Sequence, residues 1–227
     1  MLYYMPDGDT LRGMRAHLLL PPRKEDVLFR EDLPDWLNNA CPRGAERWGA
    51  YTYTEGYRRG GRLLVEHVIV HQRDQDYLVY PIFFLYRHHI ELALKSLLGR
   101  APILIKRPLT EEENKHLNSE HCLEVLWKDL KPIFSTICTA SGWGPPNEAD
   151  IEGVDSYIHQ LTELDRRSFS GRYPCSQKGV PAPLLKFKRI NLRHFAELME
   201  QLANYFDGLG WLDPINLEDI TAATEAE

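Results

Sequence analysis

The stretch from Tyr77 to Leu98, YLVYPIFFLYRHHIELALKSLL, constrains this chain most. Its first ten residues are apolar nearly all the way round a helix, the mark of a helix buried on every side. Pro81 fits there only in a first turn or at a kink. The second half then carries Arg87, Glu91 and Lys95 at i, i+4 spacing on one stripe. A charged stripe on a buried helix demands partners. It is either a polar network that holds helices in register, or the wall of a phosphate or nucleotide pocket with His88 beside it.

Periodicity supplies the other elements. A helix is expected from Glu55 to Gln72, with Tyr57, Leu64, Val68 and His71 near one face and the Gly60-Gly61 pair in its middle. The central helix should stop at Gly99 and Pro102, and Pro102 to Ile105 reads as a short extended piece. A further helix is expected to start at Ser119 as N-cap, with Leu123, Leu126, Trp127 and Leu130 inward, and to end or kink at Pro132. Another starts at Asn147, with Ile151, Val154, Ile158 and Leu161 as its core stripe and Asp150 at capping-box spacing. The segment from Arg166 to Lys188 has no period and reads as a long loop. The last helix starts near Asn191 and closes at Gly208 and Gly210.

The expected fold is all-α, an up-and-down bundle of four to five helices over residues 46–211. Residues 1–45 hold Pro6, Pro21, Pro22, Pro34 and Pro42 and read as an irregular arm with a short helix at Asp35 to Ala40. Residues 212–227 read as an acidic tail.

An apolar content of 43% excludes global disorder. The start, MLYYMPDGDT, lacks a basic segment followed by an apolar one, so no secretory signal is expected, and no apolar run is long enough to cross a bilayer. A cytoplasmic location without membrane contact is the expectation, with Cys41, Cys122, Cys138 and Cys175 as reduced thiols. Neither a C-x-x-C pair, a Walker loop, G-x-G-x-x-G nor G-x-S-x-G occurs. His67 and His71 stand at i, i+4 without a third ligand nearby, so no metal and no cofactor is expected.

The net charge of −6 conceals a reversal of sign. From Arg166 to Arg193 the chain carries eight bases and no acid, and from His194 to Glu227 eight acids and no Lys or Arg. The basic segment is either a footprint for phosphate or is covered by the acidic end.

Three pieces, in order, resemble HEPN domains. FLYRHHIELALKSLL is similar to their A-x-E-x-x-L-K-x-L-L helix, His121 to Leu126 to their H-x-L-x-x-L helix opening, and Arg172-Tyr173-Pro174 to their R-Y-P loop. The likeness runs over roughly residues 55–210. It implies a HEPN-like bundle, often dimeric, of the kind found in toxin–antitoxin systems, phage defence and RNA processing. Nucleolytic members cut RNA without metal through an Arg-x(4–6)-His motif; others bind nucleotides or partner proteins.

Arg189 to His194 has that spacing and lies at the start of the last core helix. Histidine can move the proton of a ribose 2′-hydroxyl, and arginine can hold charge growing on phosphate. If Asn191 caps the helix, His194 sits at N3. The same spacing recurs at Arg62 to His67 and at Arg12 to His17, so position alone favours Arg189 and His194. Ile190 stands where the nucleolytic members carry a polar residue, which favours the alternative: a non-catalytic nucleotide-binding or protein-interaction module, or a subunit docked through its arm. Arg166, Arg167, Arg172 and Lys186 are the expected backbone contacts. Arg87, His88, His121, Arg172 and Tyr173 are the expected lining of an RNA or nucleotide site, in a homodimer or a larger complex.

Overall fold

The computed structural model describes residues 24–29, 33–42, 50–104, 109–140, 144–169, 171–175 and 179–208. The chain divides into two units, residues 1–42 and 43–227. In the first, Trp36–Asn38 form one 3-10 turn. Asp35 closes it, its carbonyl accepting from Asn38 N at 3.0 Å and its carboxylate from Asn38 Nδ2 at 2.7 Å.

The second unit is all-α. Its helices are α1 (Ala50–His71), α2 (Gln75–Leu104), α3 (Glu111–Ser119), α4 (Leu123–Ala140), α5 (Glu148–Leu164) and α6 (Leu192–Gly208), with a 3-10 turn at Pro183–Lys186. Among the described residues there is no strand, only one isolated bridge between Cys175 and Pro181. No described helix is long and apolar enough to cross a membrane. α2 is the hub, packing on α1, α3, α4 and α6; α5 leans on α4, and α6 also reaches α1.

The apolar stripes explain this arrangement. α2 buries Ile82, Phe83, Tyr86, Ile90, Ala93, Leu94 and Leu97. α4 presents Leu123, Leu126, Trp127, Leu130, Phe134 and Cys138, α5 Val154, Ile158 and Leu161, and α6 Leu192, Ala196, Met199, Leu202, Ala203 and Phe206. Each set recurs at three- and four-residue steps, so each helix turns one face to a shared core.

Several expected boundaries move, each for a visible reason. α2 runs on to Leu104 through Gly99 and Pro102, alongside α3, so the extended piece expected at Pro102 to Ile105 is helical through Leu104. α4 continues past Pro132 to Ala140. A helix-interior proline costs about 3 kcal/mol, and burial of Phe134 and Cys138 beyond it offsets a cost of that size. Ser119 does not cap α4; its hydroxyl donates back to the Lys115 carbonyl at 2.9 Å, at the end of α3. Glu120, the C-cap of α3, instead folds its carboxylate over the turn before α4, accepting from His121 N at 2.8 Å and Cys122 N at 2.6 Å. The sixth helix, α3, raises the expected count. Thr110 and Glu113 bracket its start as a reciprocal capping box. It buries no residue, so it has no apolar period to read.

Asn147 and Asn191 cap α5 and α6 as expected, accepting from Ala149 N at 3.0 Å and His194 N at 3.1 Å. Asp150 takes no part in the first of these caps. The tail at 212–227 and most of the arm lie outside the described residues.

The core assignment has a direct check. Leu126 is fully buried whereas Leu63 on α1 is half exposed. Leu126→Ala should lower unfolding free energy by about 2–5 kcal/mol. Leu63→Ala should change it by less than about 0.5 kcal/mol. Urea midpoints at unchanged slope read both.

Candidate functional site

The charged stripe of α2 meets its partners inside the fold. Arg87 has no exposed surface and Glu91 1%. The Arg87 guanidinium donates through Nη1 to Glu91 Oε2 at 2.7 Å, through Nε to the Asp165 carbonyl at 3.0 Å, and through Nη2 to the His121 carbonyl at 2.5 Å. One side chain thus joins α2, the end of α5 and the approach to α4. Glu91 Oε1 lies 2.8 Å from His121 Nδ1 and 3.1 Å from Lys95 Nζ. Burial by itself would raise the Glu91 carboxyl, but His88, His121 and Arg87 around it reverse that and hold it well below the usual carboxylate range. His88 Nδ1 stands 3.9 Å from Oε2, an electrostatic contact too long for a hydrogen bond, and this buried nitrogen has no hydrogen-bond partner among the described residues.

Arg87, expected in a ligand pocket, therefore presents no surface to a ligand. His88 and His121 do gather with it around Glu91, and the His121 side chain is half exposed. The His88 ring stacks on Phe84 at 5.5 Å and meets Tyr57 edge-on at 4.4 Å. Phe84 also carries the loop that follows α5. Asp165 ends that helix, and its carboxylate accepts from Phe169 N at 2.5 Å. Ser168 takes a left-handed φ of 58°. Gly171 then presses onto α2, where a Cβ would stand 2.7 Å from Phe84 Cβ and 3.1 Å from its Cα. Arg172 sits over three rings, 5.7 Å from Phe84, 6.0 Å from Phe169 and 5.8 Å from Tyr173. Arg172 and Tyr173 thus reach the neighbourhood of His88, while Arg166, Arg167 and Lys186 are exposed along the same segment.

Arg189 and His194 lie elsewhere, at the exposed start of α6. Asn191 caps that helix through the His194 amide, which places His194 at N3. Among the described residues, neither side chain enters an ion pair. Ile190 between them is half-buried against the core, so the motif is anchored by its apolar residue. The competing spacing on α1 is occupied: Arg62 pairs with Glu200 at 2.6 Å and His67 with Asp74 at 2.9 Å. Arg12 and His17 lie outside the described residues.

Two acids of α6, Glu200 and Asp207, are engaged by α1 and α2, and among the described residues no ion pair joins α6 to the basic segment. Arg58, 6% exposed, takes Glu200 at 2.6 Å together with Asp207 and Asn204, and Tyr86 donates to Glu200 at 3.0 Å. This clamp binds α6 to α1 and α2. Of the eight bases, Arg166, Arg167, Arg172, Lys186, Lys188, Arg189 and Arg193 are exposed; Lys178 lies outside the described residues. His67 and His71 have ring centres 4.7 Å apart. No group of three metal-ligating side chains occurs among the described residues.

Sequence reasoning missed Phe84, Tyr57 and Asp165. Phe84 has a legible signal, four residues before His88 on the same helix. Asp165 meets Arg87 through its backbone carbonyl and, at 3.7 Å, through its buried carboxylate, a pairing across 78 residues that no local spacing encodes. Compared with known proteins, the chain matches no family model, no curated protein and no solved structure.

Two stability measurements test this electrostatic frame. Arg87→Ala leaves the Glu91 carboxylate buried beside an empty site and should cost about 3–5 kcal/mol in urea unfolding. The pH dependence should fall in two stages. His89 keeps Nδ1 on the Thr54 carbonyl at 2.9 Å, and its buried Nε2 has no hydrogen-bond partner among the described residues. Burial and the nearby Arg58 lower its pKa from 6.5, although the Thr54 carbonyl pulls the other way. Its neutral form is therefore the folded one, and stability begins to drop as pH falls below about 6.5. Glu91 and Glu200, both held below 4.5, then lose their contribution as pH falls below about 4.5. His89→Gln should flatten the first stage and Glu91→Gln the second.

Proposed function

We propose that the protein acts on RNA as a metal-independent endoribonuclease of HEPN type, working in the cytoplasm in a toxin or phage-defence setting. Its bundle is then of the HEPN up-and-down kind, and two copies dimerise so that two motifs face one groove. The observation that carries this reading is the contrast between the two described Arg-x4-His spacings. The one on α1 is tied up in ion pairs, whereas Arg189 and His194 stand exposed at a capped helix start, at the end of a segment whose described bases are exposed.

The chemistry follows from those two groups. His194 takes the proton of a ribose 2′-hydroxyl as that oxygen attacks the adjacent phosphorus. The bond from phosphorus to the 5′-oxygen breaks, and the leaving oxygen receives a proton from an imidazolium. A 2′,3′-cyclic phosphate and a 5′-hydroxyl result. Arg189 holds the charge that builds on the phosphoryl oxygens. Arg166, Arg167, Arg172 and Lys186 contribute backbone contacts that position the strand.

A non-catalytic module is the second reading. It is favoured by the half-buried Ile190 and by the ring cluster of Tyr57, Phe84 and His88, with Arg172 over the Phe84 ring.

Cleavage of total RNA by purified protein in EDTA distinguishes the two. Wild type should cleave, with cyclic-phosphate ends. His194→Ala should lose about 10²–10⁴-fold in rate, and Arg189→Ala about 10²–10³-fold. Equal cleavage by all three proteins would remove this site, and silence of the wild type would move the weight to the module.

A further inference from the structure

We infer that Arg172 and Tyr173 form a grip for one unpaired nucleotide, with the guanidinium holding its phosphate and the tyrosine ring carrying its base. This deepens the RNA-directed reading and rests on it. Nearly every part of the arrangement fixes Arg172 in place. Three rings surround the guanidinium at 5.7–6.0 Å, and Nε donates to the Ser168 carbonyl at 2.7 Å. That carbonyl belongs to a buried residue. Gly171, immediately before, is seated against the backbone of Phe84 on the most buried helix. The loop therefore cannot slide along α2 without losing this fit.

The guanidinium is nonetheless exposed, and among the described residues its terminal nitrogens meet no acid. A planar fork held by its Nε side, on an exposed residue, suits two phosphate oxygens better than a mobile point charge does. Ordering costs that a surface arginine normally meets on binding are already met here by the fold.

Tyr173 supplies the second element. It is 49% exposed, and its other side is supported by Phe169 at 4.4 Å between ring centres. A half-exposed ring backed by a second ring is suited to stacking, and stacking tolerates any base. The openness selects the class of ligand. A free mononucleotide is usually enclosed over most of its surface, and neither Arg172 nor Tyr173 stands in an enclosure. A duplex keeps its bases stacked on one another, so a protruding ring finds no free face. A single strand crossing an open basic surface meets both requirements. Arg166 and Arg167, exposed just upstream, continue the positive track.

The test uses a fluorescein-labelled 2′-O-methyl RNA 12-mer, which 2′-hydroxyl attack cannot cut, alone and annealed to its complement. Fluorescence anisotropy gives affinity for the wild type, Arg172→Lys and Tyr173→Ala. All three proteins should fold alike, because both side chains are at the surface. The wild type should bind the single strand at least about tenfold more tightly than the duplex. Tyr173→Ala should weaken single-strand binding about tenfold, within the range of one base stack. Arg172→Lys should weaken it by a similar factor while keeping the charge. Single-strand binding unchanged in both variants would overturn the grip and leave the RNA-directed reading standing. Equal losses for strand and duplex would overturn the unpaired-nucleotide selectivity. Absence of RNA binding by the wild type would take down the RNA-directed reading itself, and the grip with it.

Discussion

The buried Arg87 guanidinium is the constraint around which this unit is arranged. A full charge out of contact with water is costly unless it is paired and its N–H groups are met. Here the Glu91 carboxylate is supplied from one turn along the same helix, and two backbone carbonyls from segments 34 and 78 residues away. Those carbonyls have to arrive at the right height on α2, so the arginine measures the position of the approach to α4 and of the end of α5. Apolar burial drives the helices together without fixing their register. The directional bonds fix it, which gives this cluster of ions a purpose that stabilisation alone would not supply.

The second clamp works differently. Arg58 draws Glu200, Asp207 and Asn204 of α6 onto α1, and Arg62 and Tyr86 share Glu200. Two of the acids of α6 are thereby used on α1 and α2. The same helix thus has one end that is tightly paired and one end that offers Arg189, Arg193 and His194 to solvent. A functional surface at the start of α6 is compatible with a stable bundle because the clamp holds its other end.

Much of this was legible in the sequence, and the limits are physical. The apolar periods of α2, α4, α5 and α6 identify the core, because burial imposes them residue by residue. The Arg87, Glu91 and Lys95 stripe announces a network, because charge on a buried helix must be answered. What answered it was less legible. The Asp165 and His121 carbonyls have no side-chain signature, and so Arg87 read equally well as a ligand residue and as a structural one. Boundaries move where a proline or glycine suggests a stop, or, at Pro132, a stop or a kink. At Gly99, Pro102 and Pro132 tertiary packing outweighed a local preference. α3 was missed for the opposite reason, since Thr110 and Glu113 state its start plainly but no apolar stripe follows.

That last helix has a bearing on how the molecule breathes. α3 contributes no buried residue, and its start is secured by two hydrogen bonds of its own capping box. Opening it uncovers the partly buried Leu117 and breaks the 3.0 Å contact from His116 to Asp129 of α4 but no fully buried side chain, so its amides are expected to exchange through a local event. The fold thus contains two thermodynamic layers. The inner one opens only with the whole bundle, because the Arg87 bonds cross three of its segments. The outer one, α3, opens and closes on its own, and residues there can change with little consequence for the register that the inner layer sets.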